Sequence, residues 1–231
     1  MIFESVLLFP TLITVGKREV DELEKESWFS AYLEHSNKDG KSQDYLGYQT
    51  VHHDKRFIKV FSDIANIIRN HLTTLGVDTN IIDVNITKAF FNVKRDLGNP
   101  LHNHRENHIS FTYYPHIHES CKQQLRFYQD VEKIGNDPYE GFLNSTTKYW
   151  NDINATSYSL SVSEGDIFVF PSKLCHSVEA EGVEIHKVES FKTIESLRHS
   201  RFCVVGDAIL TRKSTDGYDR LLMPIENWRK F

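Results

Sequence analysis

Four side chains that can bind a metal stand at every second position of one short polar stretch: His102, His104, Glu106 and His108. In an extended chain, alternate residues point to the same face, so this spacing predicts several ligand side chains at one strand edge. Neutral imidazole together with carboxylate suits a divalent transition metal better than calcium or magnesium. The stretch therefore predicts a metal centre, against the plainer alternative that these histidines are solvated in a polar loop.

Two histidines and one carboxylate leave open coordination positions on the metal, which is the arrangement of non-haem Fe(II) oxygenases. The stretch offers His104 with Glu106, which is the preferred pair, and also His102 with His104. A further histidine, His176, stands inside a predicted short strand far along the chain.

The segments that position these residues are predicted to be mostly strands. Apolar residues at three-and-four spacing predict amphipathic helices over 18–35 and 57–76. Alternating or β-branched runs then predict about eight short strands, at 5–16, 81–93, 108–114, 124–130, 157–162, 167–170, 174–178 and 201–210. Helices followed by many strands predict a mainly β (α+β) fold, a cupin-like jelly-roll barrel with helices packed outside.

The whole chain, 1–231, is predicted to be a single domain. Residues 1–78 would supply the first strand and two supporting helices, 79–212 the β core, and 213–231 a surface tail. The polar segment 133–154 is long for a loop, which predicts either a lid over the substrate or a family-variable insertion.

Composition limits the partners of this chain. The formal net charge of −5 argues against a nucleic-acid surface. The apolar start, 1–10, is too short to cross a bilayer. Three irregularly spaced cysteines predict buried thiols in a reducing compartment. We therefore expect a cytoplasmic protein that is not bound to a membrane; its oligomeric state stays open, with a homodimer as one alternative.

Several ordered pieces resemble the 2-oxoglutarate/Fe(II) oxygenases of phages and marine bacteria, in the double-stranded β-helix superfamily. They are Phe90-Phe91-Asn92, the segment Gly98 to His104, the strand Ser110 to Tyr114, Gly165-Asp-Ile-Phe-Val-Phe-Pro171 with His176, and the strand that Arg201 opens. The resemblance covers about residues 84–210. It implies a β-helix fold, a cytoplasmic location, which is the host cytoplasm if the protein is phage-encoded, and the cofactors Fe(II), 2-oxoglutarate and O2.

The resemblance also implies residue roles. His176 is expected to be the distal iron ligand, and Arg201 to pair with the distal carboxylate of 2-oxoglutarate, with Arg198 as its substitute. An arginine suits this task because its planar fork holds a carboxylate with two hydrogen bonds. Tyr114 or Asn92 is expected to reach the keto acid. The superfamily usually shows His-x-Asp, which is absent here, so either Glu106 or His102 completes the metal site.

Three functions remain open from the sequence. The first is a dioxygenase that hydroxylates a protein side chain or a small metabolite, with release of succinate and CO2. The second is a cupin-type metal enzyme with three histidine ligands and no keto acid. The third is a non-catalytic jelly-roll module for binding or structure.

Overall fold

Two antiparallel sheets dominate the residues that the computed structural model describes, which are 11–39, 49–129, 148, 155–179, 191–215 and 221–230. The strands are β1 (Thr14–Lys17), β2 (Ile82–Lys94), β3 (Asn99–His102), β4 (Ile109–Ile117), β5 (Gln124–Tyr128), β6 (Ser157–Leu160), β7 (Asp166–Pro171), β8 (His176–Glu179) and β9 (Arg201–Arg212). The helices are α1 (Glu22–Asp39), α2 (Ile58–Thr74) and α3 (Ile194–Arg198), with single 3₁₀ turns at Val51–His53, Lys55–Phe57 and Ile225–Asn227.

The larger sheet has the strand order β1-β7-β4-β9-β2, and the smaller one has the order β3-β8-β5-β6. Neighbouring strands in sequence are often in different sheets, so the chain crosses repeatedly between them. This two-layer arrangement confirms the predicted mainly β fold.

Helices α1 and α2 cover the outer face of the larger sheet. Trp28 of α1 is fully buried and its ring stacks on Phe57 with centroids 3.4 Å apart. Ile64 and Ile68 of α2 are also fully buried in this cluster. His71 of α2 is also fully buried, and its Nδ1 lies 2.8 Å from the Thr14 hydroxyl.

The period-two alternation of β9 sends its residues to two different environments. Phe202 and Val204 pack in the cluster under the helices, whereas Cys203 and Val205 belong to a second cluster, which lies between the two sheets. Arg201 has the same parity as this second pair, so the strand carries it into the space between the sheets.

Most predicted elements are confirmed within a few residues. One difference is β3, which pairs with β8 and is not among the predicted strands. Another is α3, which is not among the predicted helices and begins with a capping box at Thr193. The predictions for 5–10 and for nearly all of the 133–154 segment fall outside the described residues. No helix in the described part of the chain is long and apolar enough to cross a membrane.

Candidate metal centre

Three of the predicted ligand residues meet between the sheets. His102 at the end of β3 is the pairing partner of His176 at the start of β8, and His104 follows two residues after β3. One ring nitrogen from each histidine lies within 4.8 Å of the other two. The ring centroids of His102 and His176 are 4.3 Å apart, and His104 lies 5.3 Å from both.

Hydrogen bonds fix the tautomer of all three rings. The Nδ1 atoms of His102, His104 and His176 lie 2.8 Å from the Pro100 carbonyl, 2.8 Å from an Asp207 carboxylate oxygen and 2.9 Å from the Leu174 carbonyl. Because these oxygens only accept, each Nδ1 carries the proton and each Nε2 keeps its lone pair. The Nε2 of His104 is buried without a hydrogen-bond partner. Histidine ligands of metals are oriented in this way.

Loss of hydration keeps two of the three rings, those of His102 and His176, in the neutral form. It lowers the pKa of His176 to about 3, with a further contribution from neighbouring His102. Loss of hydration also lowers the pKa of His102, although this residue is partly exposed to solvent. Both imidazoles are therefore unprotonated at neutral pH, which is the form that binds a metal.

The preferred sequence set, with Glu106 as the carboxylate, is not the set that the structure brings together. Strand β3 ends at His102, the amide of His104 donates to the Ser172 carbonyl at 2.8 Å, and Glu106 lies in the following turn. Period-two alternation fails beyond His102 because the chain is no longer extended. Glu106 is exposed and lines the cavity beside the histidines, but its carboxylate is not part of the group of candidate ligands.

The third histidine of the polar stretch has a structural contact instead. The Nδ1 of His108 accepts a hydrogen bond from the amide of Leu210 at 2.9 Å. This contact joins the start of β4 to β9 and leaves His108 outside the metal-ligand group.

Sequence reasoning missed Asp207, which lies on β9 and is fully buried. Its Oδ2 accepts hydrogen bonds from His104 Nδ1 at 2.8 Å and from Lys88 Nζ at 2.9 Å, and its Oδ1 accepts one from Ser110 Oγ at 2.5 Å. Burial opposes ionisation, but these donors hold the pKa of Asp207 below its ordinary value. A signal was present, because an acidic residue inside an apolar strand is rarely buried without partners.

Arg201 is only 1% exposed and lines the same cavity, whose volume is about 330 Å³. Its Nη2 donates to the Tyr114 hydroxyl at 3.1 Å, and the guanidinium lies 5.0 Å from the centroid of that ring. Its Nε and Nη1 have no hydrogen-bond partner among the described residues. A buried cation with unpaired donors is costly, so this group is suited to receive an anion.

The alternative arginine is elsewhere. Arg198 is 40% exposed on α3, pairs with Glu22 and Glu26 of α1, and does not line the cavity. The structure therefore brings Arg201, and not Arg198, into the same cavity as the three histidines.

Tyr114 and Asn92 also line this cavity. Burial raises the pKa of Tyr114 to about 12, so the phenol stays neutral. The Oδ1 atom of Asn92 is buried and unpaired. Apolar walls complete the cavity, formed by Phe90, Leu125, Val178 and Val205.

Comparison with known proteins agrees with this geometry. Residues 91–190 match the family model described as "Putative 2OG-Fe(II) oxygenase". Among solved structures, the chain is similar to the non-haem α-ketoglutarate-dependent carbocyclase SnoK from nogalamycin biosynthesis, with a TM-score of 0.53 and 12% identity over 87% of this chain and 82% of that chain.

The chain is also similar to the epimerase SnoN in complex with Fe³⁺, α-ketoglutarate and nogalamycin RO (TM-score 0.52, 10% identity, 93% of this chain and 91% of that chain). A third likeness is to the nickel complex of ThoJ, a non-haem monooxygenase (TM-score 0.51, 11% identity, 93% and 81%). At such identities these likenesses show the fold alone, and they confirm the double-stranded β-helix. A search of curated proteins gave no match.

Proposed function

We propose that this chain, in which residues 91–190 match the family model of the 2OG-Fe(II) oxygenases, is a dioxygenase that hydroxylates its substrate with Fe(II), 2-oxoglutarate and O2. The proposed metal ligands are His102, His104 and His176. Arg201 is the proposed partner of the distal carboxylate of 2-oxoglutarate, assisted by Tyr114 and Asn92. The proposed substrate is a protein side chain or a small metabolite.

One observation carries this proposal: a single cavity presents three imidazoles with free Nε2 lone pairs and a buried guanidinium with unpaired donors. A molecule that binds to both the metal on the imidazoles and the guanidinium must have a metal-chelating group at one end and a carboxylate at the other. 2-Oxoglutarate has these two ends. Three imidazole nitrogens are also a donor set that suits iron among the transition metals.

The residues that line the cavity have different proposed roles. Arg201 has two unpaired nitrogen atoms to hold a carboxylate, and its planar fork fixes the orientation of that group. The neutral Tyr114 phenol accepts from Arg201 and keeps its own proton to donate. The apolar walls exclude water from the reacting groups. When bound, Fe(II) and 2-oxoglutarate supply the oxidation by O2, in which the substrate gains a hydroxyl group and the keto acid becomes succinate and CO2.

The test begins without oxygen. Adding Fe(II) and then 2-oxoglutarate anaerobically to the purified protein is expected to give a weak visible charge-transfer band, and later admission of O2 to give succinate. Excess 2-oxoglutarate is also expected to raise the thermal stability of the metal-bound protein. Absence of both the band and the stabilisation would refute the proposal.

The three-histidine set also favours a second candidate, a cupin-type metal enzyme that uses no keto acid. In that case metal-dependent activity would persist without 2-oxoglutarate and in an Arg201→Met variant. A non-catalytic module would instead hold no metal after growth in iron-rich medium. The two unpaired nitrogens of Arg201 favour the keto-acid enzyme over both. All three cysteines are free thiols, which supports the proposal that the enzyme acts in the reducing cytoplasm.

A further inference from the structure

We propose that Asp207 is a positioning residue that supplies, through the ring of His104, the negative charge that a three-histidine metal centre lacks. This role rests on the ligand set of the proposed function and goes beyond it, because Asp207 does not itself bind the metal. It accounts for a site that gathers three imidazoles and no carboxylate among the described residues.

The need for such a charge follows from the donor set. Two imidazoles and a carboxylate leave a divalent ion with one net positive charge, whereas three neutral imidazoles leave it with two. A nearby anion lowers that excess. Among the hydrogen bonds of the described residues, His104 is the ligand histidine whose Nδ1 partner is a carboxylate, since His102 and His176 donate to neutral backbone carbonyls.

The contacts of Asp207 explain why it acts through His104 and not as a ligand. His104 and Lys88 share its Oδ2 atom, and Ser110 occupies its Oδ1 atom. Ser110 is itself bonded to the Ser172 hydroxyl at 2.9 Å. The carboxylate is fully buried on a central strand of the larger sheet, so these bonds hold it in place. A carboxylate that accepts from the outer nitrogen of a ligand histidine fixes the ring and raises its basicity.

Lys88 gives the arrangement a counter-charge. Its Nζ lies 2.9 Å from the same Oδ2 atom, and its side chain is 31% exposed at the cavity. The ammonium group draws part of the negative charge away from His104. Removing Lys88 should therefore strengthen the influence of Asp207 on the metal, whereas removing the charge of Asp207 should abolish it.

Two variants with opposite expected signs test this role. Asp207→Asn keeps the size of the side chain and removes its charge, and Lys88→Met removes the counter-charge at a partly exposed position. The readouts are the dissociation constant of Fe(II), measured anaerobically, and the Fe(III)/Fe(II) potential. Neither measurement includes 2-oxoglutarate or a substrate, so neither depends on turnover.

In Asp207→Asn, Fe(II) is expected to bind roughly 10- to 100-fold more weakly, the usual effect of losing an outer partner of a histidine ligand. Its preference for Fe(III) over Fe(II) should fall about tenfold, which is a rise of about 59 mV in potential. Lys88→Met should shift the potential in the opposite direction, without weaker Fe(II) binding.

Unchanged affinity and potential in Asp207→Asn would overturn the role of Asp207, and so would shifts of the same sign in both variants, which indicate a general structural effect. If far-UV circular dichroism shows that Asp207→Asn does not fold, the sign of the Lys88→Met shift decides the question. Failure of the unmodified protein to bind Fe(II) is a different result, because it overturns the proposed ligand set.

Discussion

Replacement of Arg201 by methionine removes a buried guanidinium and keeps a long side chain in its place. In the absence of cosubstrate, this arginine has two unpaired nitrogen atoms. Replacing a buried ion pair by apolar residues of similar volume is often neutral or stabilising, by about 1–4 kcal/mol, and a buried cation without a charged partner has less compensation to lose. We therefore expect the Arg201→Met protein without ligand to unfold at the same temperature as the unmodified protein or above it.

Binding of 2-oxoglutarate should change in the opposite direction. Loss of one partner from a buried, hydrogen-bonded charge pair costs about 2–5 kcal/mol. Even the lower figure corresponds to an increase of about 30-fold in the dissociation constant. Chelation of the metal by the keto-acid end remains available, so affinity should be weakened and not abolished.

Thermal unfolding of the metal-loaded protein measures both effects. At a 2-oxoglutarate concentration of about 100 times the dissociation constant, the unmodified protein gains about 2.7 kcal/mol, and at the same concentration a variant with 30-fold weaker binding gains about 0.9 kcal/mol. For a chain of this length, 1 kcal/mol corresponds to about 2–4 °C. The rise caused by the ligand should therefore fall from roughly 5–11 °C to roughly 2–4 °C.

Arg198→Met is the matched control, because Arg198 is a nearby arginine that pairs with Glu22 and Glu26 on the surface. This variant should keep the full rise with 2-oxoglutarate. A full rise in Arg201→Met would refute the assignment of the carboxylate site. A large loss of stability in Arg201→Met without ligand would refute the reasoning that the unpaired charge of Arg201 destabilises the protein when no cosubstrate is bound.

Three further predictions test the rest of the site and its support. His102→Ala should weaken Fe(II) binding by more than the roughly 100-fold upper figure for an outer partner, whereas Glu106→Gln should leave it unchanged; equal effects in an anaerobic titration would restore Glu106 as a ligand. Tyr114→Phe should weaken 2-oxoglutarate binding about fivefold, since it removes the hydroxyl proton that Tyr114 is proposed to donate to the cosubstrate, a hydrogen bond of about 1 kcal/mol, and calorimetry that finds no change would contradict this. Gly206→Ala should lower the free energy of unfolding by about 1–3 kcal/mol, because the added carbon would collide with the ring of Phe111 and with the carbonyl of Lys88. Denaturant unfolding measures this change. An unchanged midpoint would contradict the prediction and show that the ring moves aside.

Much of the fold could be predicted because each sheet residue meets one of two environments. Alternation along β2, β4 and β9 separates residues that face the helices from residues that face the smaller sheet. Arg201 follows the same alternation, since its side chain has the parity of the apolar residues between the sheets, although its role was expected from the family resemblance and not from this pattern. Which residues form a strand, and which side of the sheet each side chain faces, are local properties that a single sequence can specify.

The completion of the metal site could not be predicted in this way. The sequence suggested Glu106 because alternate residues over 102–108 would share one face if the chain were extended. The chain turns after β3, so this condition is not met. His102 is brought to the site by its pairing with His176, on a strand far along the chain. Asp207 is 103 residues from His104. Contacts between strands so distant depend on sheet order and register, which no local pattern specifies.

The anchoring of the site suggests why the ligands come from such separate segments. His102 and His176 belong to β3 and β8 of the smaller sheet. His104 is tied to the larger sheet, since its ring is bonded to Asp207 of β9 and its amide to Ser172, which directly follows β7. A metal bound by all three would therefore link the two layers at one edge of the cavity. Arg201 of β9 is also on the larger sheet, so a cosubstrate held by both the metal and the guanidinium would join the layers a second time. Occupancy of the site and closure of the two sheets are then coupled, because separating the layers would pull the ligands apart.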